Sequence, residues 1–90
     1  MRIDVFLKKV CLVKSRSLAA KLCDDGKVLI NGRAAKSSKE VKAGDVVSVT
    51  HGSRELALSV LAVPEGNVSK AQAASYYRVT GGTQGSVSLD

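Results

Sequence analysis

Ile3, Phe6, Leu7 and Val10 recur at the i, i+3, i+4 and i+7 spacing of one helical face, so the chain is expected to open with an amphipathic helix. Val5 and Leu12 lie off that stripe and either cover a second packing surface or stay exposed. After a turn around Val13 to Ser15, Ser15 suits an N-cap; Leu18, Ala19, Leu22 and Cys23 share one side of a second short helix, which Gly26 can end in a left-handed conformation. So short a connection makes the two helices an antiparallel or steeply crossed pair. A strand, Val28 to Ile30, follows, and Asn31-Gly32 is the pair that a type I′ turn selects, with Arg33 to Lys36 returning as the partner strand.

Residues 37–42 are polar apart from Val41, and Ala43-Gly44-Asp45 marks a turn before the β-branched strand of Val46, Val47 and Val49. His51-Gly52-Ser53 turns the chain again. Leu56, Leu58, Val60 and Ala62 then alternate with Ala57, Ser59 and Leu61, the period of a strand with one better-buried face. Pro64 to Gly66 ends it, Ser69 caps a short Ala-rich helix reaching Tyr77, and residues 81–90 lack periodicity and are read as a disordered tail. The fold class is therefore α+β: two N-terminal helices packed on a small, mainly antiparallel β-sheet, with a short C-terminal helix. Residues 1–80 form one domain.

Composition narrows this further. With 90 residues and 44% hydrophobic content, the chain supports one domain with a small core. No apolar run approaches the roughly 20 residues that span a bilayer, and residues 1–20 have helical periodicity rather than the plan of a signal peptide, so a cytoplasmic location without membrane contact is expected. Cys11 and Cys23 have no metal spacing and sit at apolar positions, as reduced core thiols would. No cofactor and no metal is expected.

The net charge of +6 is unevenly spread: residues 1–42 hold eleven Lys or Arg and four Asp or Glu, whereas residues 43–90 hold three and four. A basic face confined to one supersecondary unit points to a polyanion with a defined footprint, the bland alternative being a solvated basic surface. Lys14 and Arg16 flank the Ser15 cap, where the helix dipole disfavours cations by roughly 0.3–1 kcal/mol each. Free backbone N–H groups with two cations would suit a phosphate, which makes Lys14, Ser15 and Arg16 candidate RNA contacts, with Lys27, Arg33 and Lys36 around the hairpin. Asp4 suits the first turn of helix one; Arg2 does not, and Arg2 and Lys9, seven residues apart off the core stripe, could share a contact.

No catalytic constellation emerges. His51, the single histidine, sits in an expected turn without a second His or a paired carboxylate, and the glycines are explained by separate turns. Phe6 belongs to the core stripe, leaving only Tyr76 and Tyr77 to stack on bases, too few for a single-strand platform.

Arg2-Ile3-Asp4, Phe6-Leu7, residues 14–19, Gly26-Lys27-Val28, Ile30-Asn31-Gly32 and Gly44-Asp45 together resemble the S-four-type RNA-binding domain, or alpha-L motif, over residues 1–52. Within that group the length and the position of Arg2 resemble the heat-shock protein 15 family and its RqcP-like branch. Val5 and Cys11 depart from the pattern, standing where relatives often carry basic residues. The resemblance implies a non-catalytic protein that binds structured rRNA on the large ribosomal subunit, with tRNA contact, at stalled nascent chain–tRNA complexes. It also implies a tail-elongating quality-control partner, and RNA contacts by Arg2 and Arg16. A monomer is expected. The rival readings are a basic module docking on an acidic protein, a general RNA-binding accessory factor in ribosome assembly, and DNA binding, the last opposed by a second helix with few side chains suited to base edges.

Overall fold

Helix α1 (Ile3–Lys9) and helix α2 (Arg16–Asp24) are both shorter than the roughly 12–15 residues at which an isolated helix becomes marginal in water, so packing must hold them. The computed structural model, which describes residues 1–66 and 68–82, shows how. Ile3, Phe6, Leu7 and Val10 are buried against Ala19, Leu22 and Cys23 in one core. Beyond α1 the backbone doubles back: Cys11 takes a φ of 62°, and the amides of Leu12 and Val13 both donate to the Leu7 carbonyl. That turn drives Leu12 and Val13 into the core, which resolves Leu12 as a packing residue and leaves Val5 half-buried. It also takes Cys11 out of the helix.

Helix α2 has the ends that its sequence calls for. Ser15 Oγ accepts the Leu18 N–H at 3.1 Å. At the other end Gly26 has a φ of 72°, its amide reaches the Cys23 carbonyl, and the Lys27 amide reaches that of Leu22, the paired bonds of a Schellman motif.

Five antiparallel strands follow in the spatial order β2-β1-β3-β4-β5: β1 (Val28–Ile30), β2 (Arg33–Ala34), β3 (Val46–His51), β4 (Arg54–Val60) and β5 (Tyr77–Gly82). Val28, Val49 and Leu56 stand side by side across β1, β3 and β4, as do Ile30, Val47 and Leu58, and these two rows form the sheet's contribution to the core. Asn31 and Gly32 close the β1–β2 hairpin with φ values of 53° and 84°, as a type I′ turn requires. Asn31 also acts through its side chain, which donates to Asp45 Oδ1 at 3.1 Å and accepts the Val46 amide at 2.9 Å, tying the hairpin turn to the start of β3.

Two segments differ from the sequence-based expectation. The C-terminal helix α3 (Lys70–Ala73) passes through a 3-10 turn at Ala74–Tyr76 and gives way to β5 rather than reaching Tyr77 as helix. Gly81 and Gly82, expected at the start of the tail, pair with Ala57 and Leu56; residues 83–90, the rest of that tail, lie outside the described residues. As an edge strand β5 buries only Tyr77, so almost no alternation marks it in the sequence. Residues 37–41, polar apart from Val41, lie along the start of α1. The Ile3 amide donates to the Lys39 carbonyl, the Val41 amide to the Met1 carbonyl, and Arg2 forms an isolated antiparallel bridge with Glu40. This supplies partners for amides that open α1, where Arg2 offers no side-chain cap.

Candidate nucleic-acid interface

A carboxylate as buried as that of Asp4, 2% exposed, is tolerated only with its lone pairs satisfied. Its Oδ1 accepts the Val5 amide at 2.8 Å. Its Oδ2 accepts from both Arg2 Nη2 and Arg16 Nε, each at 3.2 Å. The two arginines are 43% and 56% exposed, so one buried anion holds two cations at the surface where α1 and α2 meet. Arg16 binds Asp4 through Nε, so neither of its terminal nitrogens is the atom on Asp4, whereas Arg2 commits its Nη2.

The other expected contacts are distributed differently. Lys9 does not join Arg2; its Nζ reaches across to the Gly66 carbonyl at 2.9 Å. Ser15 commits its hydroxyl to the Leu18 amide, so one donor that the sequence reserved for phosphate is satisfied within the helix. Lys14 stands exposed one residue before that cap, and Lys27 is exposed between the stop of α2 and β1. Arg33 and Lys36 are exposed beyond the hairpin turn.

Three residues of this basic half were missed as site components. In the sequence Asp4 signals only a first-turn dipole residue, and although the Arg2-x-Asp4 spacing is visible there, its link to Arg16 depends on how the helices cross. Lys39 and Lys42 give no local signal, and it is in the segment folded back along the start of α1 that they line one groove with Arg33 and Lys36.

Cys23, buried under α2, is not a reactive thiol: burial first, then the negative charges of Asp4 and Asp24, push it up to about 11 from an ordinary 9.0. Among the described residues no group of three or more His, Cys, Asp or Glu could hold a metal, and no helix is long and apolar enough to cross a membrane.

Residues 1–47, the span containing the arginine pair, the hairpin and the segment over α1, match the family model described as the S4 domain. The chain is 59% identical over 49 residues to the "RQC P-site tRNA stabilizing factor" of Helicobacter pylori strain ATCC 700392 / 26695, a match covering 54% of this chain and 58% of that protein's length. The like-named Bacillus subtilis protein is 38% identical over 79 residues, covering 88% of this chain and 91% of the relative. In three dimensions the chain superposes on the trimeric structure of Vibrio cholerae Heat Shock Protein 15 with a TM-score of 0.82 and 31% identity, covering 89% of this chain and 81% of that one. With the fold, the local motifs and these matches in agreement, the chain belongs to the S4 domain family.

Proposed function

We propose that this chain is a non-catalytic RNA-binding protein that binds structured rRNA on the large ribosomal subunit and acts in quality control of stalled nascent chain–tRNA complexes. The carrying observation is the pair of exposed guanidinium groups, Arg2 and Arg16, held by one buried carboxylate. The fold uses both arginines as donors to buried Asp4 yet leaves each about half exposed, so a polyanion gains two oriented cations without first having to order them. Lys14, Ser15 and Lys27 extend the same reading around α2, and Arg33 and Lys36 along the hairpin. The P-site tRNA in the names of the relatives supports placing the protein beside tRNA as well as rRNA, with a tail-elongating factor as the partner. Contacts from side chains on helix ends and hairpins favour recognition of RNA shape and backbone over base sequence.

Sedimentation of a cell lysate tests this. The protein should migrate with large subunits, and the Arg2→Ala/Arg16→Ala variant should shift toward the top of the gradient. Migration of the unaltered protein with small subunits alone, or with no ribosomal particle, would reject the proposal.

A further inference from the structure

Beyond the arginine pair, the surface carries a second concentration of positive charge. Arg33 from β2 and Lys36, Lys39 and Lys42 from the segment that follows line an open groove of about 980 Å³. Two carboxylates also line it, but both are already engaged. Glu40 pairs with the Met1 ammonium at 2.7 Å, and Asp45 accepts from the Asn31 side chain and the Lys42 amide. Among the described residues the four cations make no side-chain hydrogen bond or ion pair. The four cations outnumber the two carboxylates in the groove and pair with neither, so they repel one another and contribute nothing to folding.

We infer that this groove is a second RNA-backbone site, seating a phosphate run next to the one held at Arg2 and Arg16. The inference rests on the RNA reading above and extends it to Lys39 and Lys42. Three observations select RNA over an acidic protein. A protein partner needs an apolar or aromatic anchor, yet Ile30 and Ala35 in this groove are buried and only Ala34 presents an exposed apolar side chain. The groove has no aromatic wall, so it is built to follow phosphates rather than to stack bases. It is also continuous with the arginine pair, because Arg2 is bridged to Glu40, which lines the groove.

The experiment is filter binding of deproteinised large-subunit rRNA over a series of salt concentrations, comparing the unaltered chain with Lys39→Gln/Lys42→Gln. Losing two phosphate contacts should weaken binding and lower the slope of log affinity against log salt by about 1.4–1.8. Melting should be unchanged, since neither side chain has a partner to lose; should the variant melt early, Lys39→Arg/Lys42→Arg must restore the slope. If the unaltered chain binds and the variant has the same affinity and slope, the groove assignment is wrong while the arginine pair stands. A variant that keeps RNA binding but loses binding of polyglutamate also overturns it, in favour of an acidic protein. If the unaltered chain does not bind rRNA at all, the RNA reading itself fails and the groove with it.

Discussion

Arg16 Nε and Asp4 Oδ2, twelve residues apart in sequence, lie 3.2 Å apart and make the start of α2 a partner of the start of α1. Considered by itself, a cation in the first turn of a helix opposes the dipole, and its removal should help. Considered with Asp4, its removal withdraws one of three donors from a buried anion. The second effect is the larger, though moderated by the remaining Arg2 and Val5 donors and by the solvent exposure of Arg16.

Arg16→Ala should therefore cost about 0.5–1 kcal/mol of stability and weaken RNA binding by about 1–3 kcal/mol. Thermal denaturation alongside filter binding separates the two. A variant that unfolds while its folded fraction binds normally would make Arg16 purely structural.

Asp4→Asn tests the arrangement from the other side. The side chain keeps its size and its acceptor for Val5, but the two guanidiniums lose their shared counter-charge, so stability should fall by about 1–3 kcal/mol. The net charge rises by one, which by simple attraction would tighten RNA binding. The expected result is weaker binding, because Arg2 and Arg16 are no longer held; tighter binding would show that charge matters and orientation does not.

Asn31 combines a backbone requirement with a side-chain latch, and two substitutions divide them. Asn31→Gly keeps the positive φ of 53° but deletes the bonds to Asp45 and Val46; Asn31→Ala deletes the bonds and strains the turn. Asn31→Ala should lose about 2–3 kcal/mol and Asn31→Gly less, by roughly 1 kcal/mol, in chemical denaturation. Equal losses would mean that the turn geometry carries no cost.

Stability should fall in alkali. Burial raises the Cys23 thiol to about 11 from 9.0, and burial with the charge of Cys11 raises Tyr77 above its ordinary 10.0. Both groups are neutral when protonated, and the folded state holds these protons more tightly than the unfolded state. The stability linked to Cys23 is thus intact below about pH 9 and lost as pH rises through about 11. Denaturation midpoints followed across that range should decline less steeply for Cys23→Ala than for the unaltered chain; parallel declines would remove Cys23 from the account.

Much of this was legible because the signals are local. The stripe of Ile3, Phe6, Leu7 and Val10, the Ser15 cap, the Gly26 stop and the Asn31-Gly32 turn each act over a few residues, and all of them recur in the structure. Strand β5 escaped because this edge strand buries only Tyr77 and ends in Gly81 and Gly82, so no alternation of buried and exposed positions marks it. The pairing of Arg2 and Arg16 through Asp4 escaped because it is set by the crossing of two helices, and Lys9 went to Gly66 for want of any sequence cue about where that loop would lie. Lys39 and Lys42 acquire meaning only when their segment folds back over α1.

That fold-back has a consequence for the order in which the molecule comes into being. The Met1 ammonium and Glu40 are 39 residues apart along the chain, and the amides that open α1 find their carbonyls in residues 37 and 39. A seven-residue helix does not persist alone, so α1 waits on closure of a loop nearly half as long as the protein. The nine-residue α2 packs on α1 and waits with it, whereas the local β1–β2 turn can close while Arg2 is still loose. The first residues made are thus fixed only after Lys39 has joined them, and an incomplete copy that stops before Lys39 carries Arg2, Asp4 and Arg16 without the Lys39 carbonyl that receives the Ile3 amide.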